Sequence, residues 1–157
     1  MNTFHWPIRI YYEDTDGGGV VYHSRYLNFF ERARTEWLRQ LGINQEQYFL
    51  ETGLRFAVST MEIRFLAPAV LDDLLTATVT ISRQGHASLH FHQELLREGK
   101  VLITAEVRIA CVNAAFRPSR LPVSLTDLIH TCQLTLLETW KQKSTPPSIP
   151  TVYPVPE

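Results

Sequence analysis

Between Ser24 and Leu41 the apolar residues Tyr26, Phe29, Phe30, Ala33, Trp37 and Leu41 recur at three- and four-residue steps, the spacing that lines one face of an α-helix. At ~1.5 Å per residue this predicts a helix about 27 Å long. Ser24 stands where an N-cap belongs and Gly42 where a C′ residue belongs. Arg32, Glu36 and Arg39 fall on the opposite face, where an Arg32–Glu36 pair at i,i+4 is expected. Glu31 and Arg34 are expected to form an i,i+3 surface pair.

Ahead of this helix, residues 4–12 (FHWPIRIYY) read as a strand running into a loop. Behind it, a short helix is predicted near Gln45–Glu51, and the period then drops to two for about sixty residues. Met61, Ile63 and Phe65 alternate with Thr60, Glu62 and Arg64, and Leu75, Ala77, Val79 and Ile81 alternate with threonines and Ser82. Leu89 and Phe91 oppose Ser88, His90 and His92, while Val101, Ile103, Ala105, Val107 and Ile109 oppose Thr104, Glu106 and Arg108. Such alternation describes antiparallel strands with one buried and one polar face. Gln84-Gly85 and Glu98-Gly99 mark the reversals.

Phe56 and Val58 have the wrong parity for the face of Met61 and Ile63, which predicts a bulge near Ser59 and places these two residues near a ligand or a second subunit. A second amphipathic helix is predicted over Ser124–Trp140, with Leu125, Leu128, Ile129 and Leu136 on its apolar side. The expected organisation is one α+β domain over residues 1–143, followed by a Pro-rich tail, 144–157, expected to be extended or disordered. Thr, Ser and His on the polar sheet face point to an oligomer.

At 157 residues the chain can bury roughly 68–70% of its unfolded surface, so it needs no covalent staple. Cys111 and Cys132 are accordingly expected to be reduced thiols. The 15 basic and 16 acidic residues leave no cationic field for nucleic acid. The first residues lack the pattern of a signal peptide, and no run approaches the roughly 20 apolar residues of a membrane span. The expected location is cytoplasmic, or peripheral to the inner membrane.

Candidate chemistry concentrates in residues 11–23 (YYEDTDGGGVVYH): three carboxylates, three glycines and a histidine between a strand and a helix start. By composition alone this could be an acidic, flexible turn. The first turn of a helix, however, presents unpaired N–H groups and positive potential that can hold a developing oxyanion. A carboxylate a few residues earlier, Asp16, can lie across a bound carbonyl and direct water or attack it. Carboxylates are ionised at neutral pH unless strongly desolvated, which suits Asp16 to the part of base or nucleophile. His23, beside the helix start, could hydrogen-bond a water or leaving group, or could simply cap the helix.

The run EDTDGGGVVYHSRYLNFFERART, residues 13–35, closely resembles the signature of the hotdog-fold acyl-CoA thioesterases of the 4-hydroxybenzoyl-CoA thioesterase family, and looks most like its Tol-Pal-associated branch. The resemblance extends from residue 6 to about 123 and includes APAVLDDLL at 67–75. It implies an antiparallel sheet wrapped around a long central helix, dimers often paired into homotetramers, and an acyl-CoA or acyl carrier protein partner with no cofactor. It implies Asp16 and His23 as catalytic residues, the His23 N–H as oxyanion donor, and Val21 and Tyr22 as lining of the substrate turn. Thiolates leave readily because a free thiol has a pKa of about 8.5, so such a site needs neither a metal nor a Ser-His-Asp triad.

A non-catalytic module could hold acyl-CoA or acyl carrier protein in the same cleft at the cell envelope, and a dehydratase could share the fold. His90 and His92 have a spacing compatible with a metal, but without a third ligand an interface role is favoured. Arg64, Arg83, Arg97, Arg117 and Arg120 are unranked candidates for the CoA phosphates.

Overall fold

The computed structural model describes residues 2–142, with side chains to Cys132; the Pro-rich tail, Leu136 and Trp140 lie outside those side chains. In chain order the elements are β1 (Phe4–Arg9), α1 (Arg25–Gln40), α2 (Gln45–Thr52), β2 (Arg55–Phe65), β3 (Leu74–Gln84), β4 (Ser88–Arg97), β5 (Lys100–Val112) and α3 (Val123–Gln142). The strands form one sheet in the order β1-β3-β4-β5-β2, and every neighbouring pair is antiparallel.

The sheet's apolar face and the apolar stripe of α1 make the core. Tyr26, Phe29, Phe30, Ala33 and Trp37 are buried against Leu75, Ala77, Val79, Phe91, Leu95 and Ile103. Trp37 meets Phe91 edge-on with ring centroids 5.3 Å apart. The helix stops at Gly42, whose φ of +87° only glycine adopts cheaply. Its N–H donates to Arg39 O at 2.9 Å and that of Ile43 to Leu38 O at 3.0 Å, a Schellman closure. Asn44 Oδ1 then accepts from Gln47 N to cap α2. Glu98 and Gly99, both at positive φ, reverse β4 into β5 as a two-residue turn.

The expected bulge is present: the β2–β5 register shifts between Val58 and Thr60. Other readings need correction. Glu36 pairs with Arg39 at 3.3 Å rather than with Arg32, which lies over the Phe29 ring. Leu128 is exposed, and only Leu125 and Ile129 of its group are seen to be buried. Ser24 occupies the N-cap position without a side-chain cap bond.

The largest correction is Arg34. It is buried instead of paired with Glu31 at the surface, and its Nη1 donates to Gln93 Oε1 at 2.8 Å. Position 34 lies one turn beyond Phe30, so helix geometry carries it inward whatever its charge. Gln93 is wholly buried on β4 and donates to the carbonyls of Phe30 and Thr78. Both cysteines are free thiols, and burial pushes each above its usual range.

On the outer face His92 bonds Glu106 through Nδ1 and approaches Glu94 through Nε2 at 3.4 Å. His90 sits opposite Arg108 on β5. Partial burial pulls the His92 imidazolium down, but the hydrogen bonds and charges of Glu106 and Glu94 outweigh it and raise the pKa above the ordinary 6.5. A raised folded value means that the stabilisation is complete below the unfolded pKa and disappears as pH climbs through the folded one. The stability difference between the wild type and His92→Gln, read from urea midpoints, is therefore expected to be largest near pH 6 and to shrink toward pH 9. A difference that grows with pH contradicts this assignment.

Candidate functional site

The sequence between β1 and α1 folds as a closed turn because its ends pair and its glycines permit the reversal. Thr15 and Val21 bridge antiparallel, Asp16 N donates to Val20 O at 2.9 Å, and Gly19, at φ +79°, donates to Asp16 O at 3.2 Å. Gly18 N donates to Asp16 Oδ1 at 2.7 Å, which orients the carboxylate. A Cβ on Gly18 would stand 3.1 Å from that oxygen, so glycine keeps the approach open.

The three carboxylates of this segment, indistinguishable by composition, separate by environment. Asp14 is 3% exposed; its Oδ2 accepts from Tyr11 N at 2.9 Å and its Oδ1 faces Arg25 Nε at 3.4 Å. It is part of the framework. Glu13 is exposed, and its backbone carbonyl accepts from Arg25 Nη2. Asp16 is exposed too, and among the described residues its Oδ2 has no donor. Of the three it alone combines an unengaged oxygen with a fixed position beside the helix start.

The backbone amides sort equally sharply. Val21 N is spent on Ala69 O at 2.9 Å and Tyr22 N on Asp14 O at 2.9 Å. Among the described residues the His23 amide has no acceptor. It precedes α1, where the helix dipole adds positive potential. Val21 is buried, Tyr22 is half-exposed, and the Tyr22 and His23 rings lie 4.5 Å apart between centroids. A cleft of about 290 Å³ opens beside them, lined by Val21, His23, Tyr26, Phe65, Pro68 and Ile103 among others. Asp16 and Tyr22 are not among its lining residues.

Sequence reasoning missed the groups that hold this turn in place. Ala69, wholly buried in the 66–73 connection, accepts from Val21 N, and its own N–H donates to Tyr26 Oη at 3.0 Å. Arg97 donates to Asp73 Oδ2 at 2.7 Å and to Pro68 O at 3.4 Å, tying the same connection to β4. Arg97 is thereby engaged structurally, and Arg64 pairs with Glu62. Burial, with the charges of Asp73 and Asp16, pushes the Tyr26 phenol up, against the Ala69 bond and Arg97.

The family model described as the thioesterase superfamily matches residues 18–104, from just past Asp16 into the first half of β5. The chain belongs to the thioesterase superfamily. An acyl-CoA thioesterase YbgC of Haemophilus influenzae is 45% identical over 130 residues, covering 82% of this chain and 96% of that protein. A 1,4-dihydroxy-2-naphthoyl-CoA hydrolase of Thermosynechococcus vestitus is 32% identical over 116 residues, covering 73% and 78%. The crystal structure of a probable thioesterase from Bartonella henselae superposes with a TM-score of 0.72 at 44% identity, over 77% of this chain and all of that one. The fold is the hotdog fold, and as a thioesterase-superfamily member the protein is a thioester hydrolase.

Tyr26→Phe leaves the Ala69 N–H buried without its acceptor, which is expected to cost about 1–3 kcal/mol of stability. Denaturant unfolding measures it. A loss indistinguishable from zero removes the Tyr26–Ala69 bond from the supports of the turn.

Proposed function

We propose that this protein hydrolyses acyl-CoA thioesters to the free acid and CoA, using Asp16 as base or nucleophile and the His23 amide as oxyanion donor. The observation that carries the reading is the coincidence, at one helix start, of a carboxylate with an unengaged oxygen and a backbone N–H with no acceptor. The acyl-CoA thioester substrates named for the relatives from Haemophilus and Thermosynechococcus support the substrate class.

A thioester carbonyl bound against the His23 amide turns its other face to solvent or to Asp16. In the base route Asp16 takes a proton from water as the water oxygen bonds to the carbonyl carbon. The electron pair moves onto the carbonyl oxygen, where the amide and helix dipole stabilise it. Collapse breaks the C–S bond, and CoA leaves as thiolate, which accepts a proton. In the nucleophile route an Asp16 oxygen bonds to the carbonyl carbon, CoA departs, and water cleaves the resulting anhydride. His23, lining the cleft, is placed to hydrogen-bond the water or the departing sulfur.

The half-exposed Val58 and Phe65 on the open edge of β2 support assembly into dimers and homotetramers in which a second copy covers that edge. No helix among the described residues is long and apolar enough to cross a membrane.

Asp16→Asn is expected to fold normally and to lose about 10²–10⁴-fold in kcat across a panel of aliphatic and aromatic acyl-CoAs. Undiminished turnover removes Asp16 from the mechanism. A wild-type chain that binds acyl-CoA but hydrolyses no member of the panel favours a non-catalytic module, including the Tol-Pal-associated role.

A further inference from the structure

Halfway along α1 the core holds a cation with more donors than acceptors. The Arg34 guanidinium is 8% exposed, and among the described residues its one hydrogen bond runs from Nη1 to the neutral carboxamide of Gln93. A guanidinium carries five N–H donors and stays charged in proteins. The Gln93 amide is itself fully used, by the carbonyls of Phe30 and Thr78. Glu31, whose Oε1 accepts from the Thr35 hydroxyl at 2.8 Å, acts on Arg34 through its charge but makes no ion pair with it among the described residues. A buried charge with no directly paired counter-ion is costly to keep.

The unspent donors are not sealed off. No Arg34 nitrogen is both buried and without a partner, and the residue lines a cavity of about 110 Å³. The cavity is lined by Trp37, Phe56, Leu89, Phe91 and Ile109, with the exposed Val58, Glu31 and Gln45 on its solvent side. Burial pulls the guanidinium below the usual arginine range, with the Glu31 charge opposing. One cation in the wall of an apolar slot matches one kind of ligand: an anion carried on an apolar body. At about 110 Å³ the cavity is smaller than the roughly 150 Å³ that accepts a whole benzene ring, so it suits a short chain, or a single ring that is only partly enclosed.

We propose that this pocket is a carboxylate subsite, in which the acid group of a short aliphatic or single-ring molecule meets the unspent Arg34 donors and its apolar body lies against Trp37 and Phe91. Arg34 follows His23 by eleven residues, about 16 Å along the helix. The subsite is therefore separate from the turn cleft of the same chain, and it goes beyond the hydrolase reading without resting on it. The carboxylate is that of a free acid, of which a hydrolysis product is one example, because a short acyl group held at the His23 amide does not span the about 16 Å to Arg34.

Isothermal titration of the full chain with sodium benzoate and sodium butyrate, with benzamide as the neutral counterpart, tests the site directly. Benzoate is expected to bind saturably and at least about tenfold more tightly than benzamide. Arg34→Met is expected to lose that binding, Arg34→Lys to keep part of it, and Glu31→Gln to tighten it by removing the negative charge at the mouth. Should Arg34→Met fail to fold, Gln45→Trp narrows the opening from the exposed start of α2 without touching the cation or the β2 edge, and is expected to abolish binding. The proposal is overturned if benzoate shows no saturable binding, if benzamide binds as well as benzoate, or if the variants leave benzoate affinity unchanged.

Discussion

The peptide unit of Ala69 holds two parts of the chain that local sequence does not bring together. Its carbonyl takes the Val21 amide and its amide gives to the Tyr26 hydroxyl, so one buried residue fastens both the glycine turn and the first turn of α1. The consequences are chemical as well as mechanical. With Val21 N consumed here and Tyr22 N consumed by Asp14, the next amide along the chain, that of His23, is left without an acceptor among the described residues. Arg97, reaching Asp73 and Pro68, secures the 66–73 connection from the sheet side.

This arrangement is economical in functional groups because the reaction it serves is not demanding. A thiolate departs without protonation by a strong acid, so a positioned carboxylate and one backbone donor can cover both sides of the carbonyl. The rest of the fold supplies rigidity. A long helix packed along its whole apolar stripe against five strands fixes the start of α1, and the turn inherits that position.

Periodicity made most of the architecture legible. The stripe from Tyr26 to Leu41 and the alternation of β3 and β5 are one-sided burial written directly into residue order, and the parity break at Phe56 and Val58 located the bulge. Residue type misled where it conflicted with position. Charge directs Arg34 to the surface, yet its place on the helix carries it inward, where Gln93 receives it. Composition could not tell Asp14 from Asp16 either, since the difference lies in Tyr11 N and Arg25 closing on one carboxylate and not the other. The Tyr26–Ala69 contact joins residues 43 positions apart and leaves no local signal. The glycines and carboxylates of residues 11–23 did mark the turn, and the resemblance carried by residues 13–35 pointed to the superfamily that the comparisons show.

The account stands on a substrate carbonyl lying between Asp16 and the His23 amide. A crystal structure with a non-hydrolysable acyl-CoA analogue, in which a methylene replaces the thioester sulfur, examines this most directly. The expected result is the analogue's carbonyl oxygen roughly 2.7–3.1 Å from the His23 nitrogen, with the Asp16 carboxylate facing the carbonyl carbon. An analogue whose carbonyl binds elsewhere, with His23 N–H unengaged and Asp16 turned from the ligand, contradicts it.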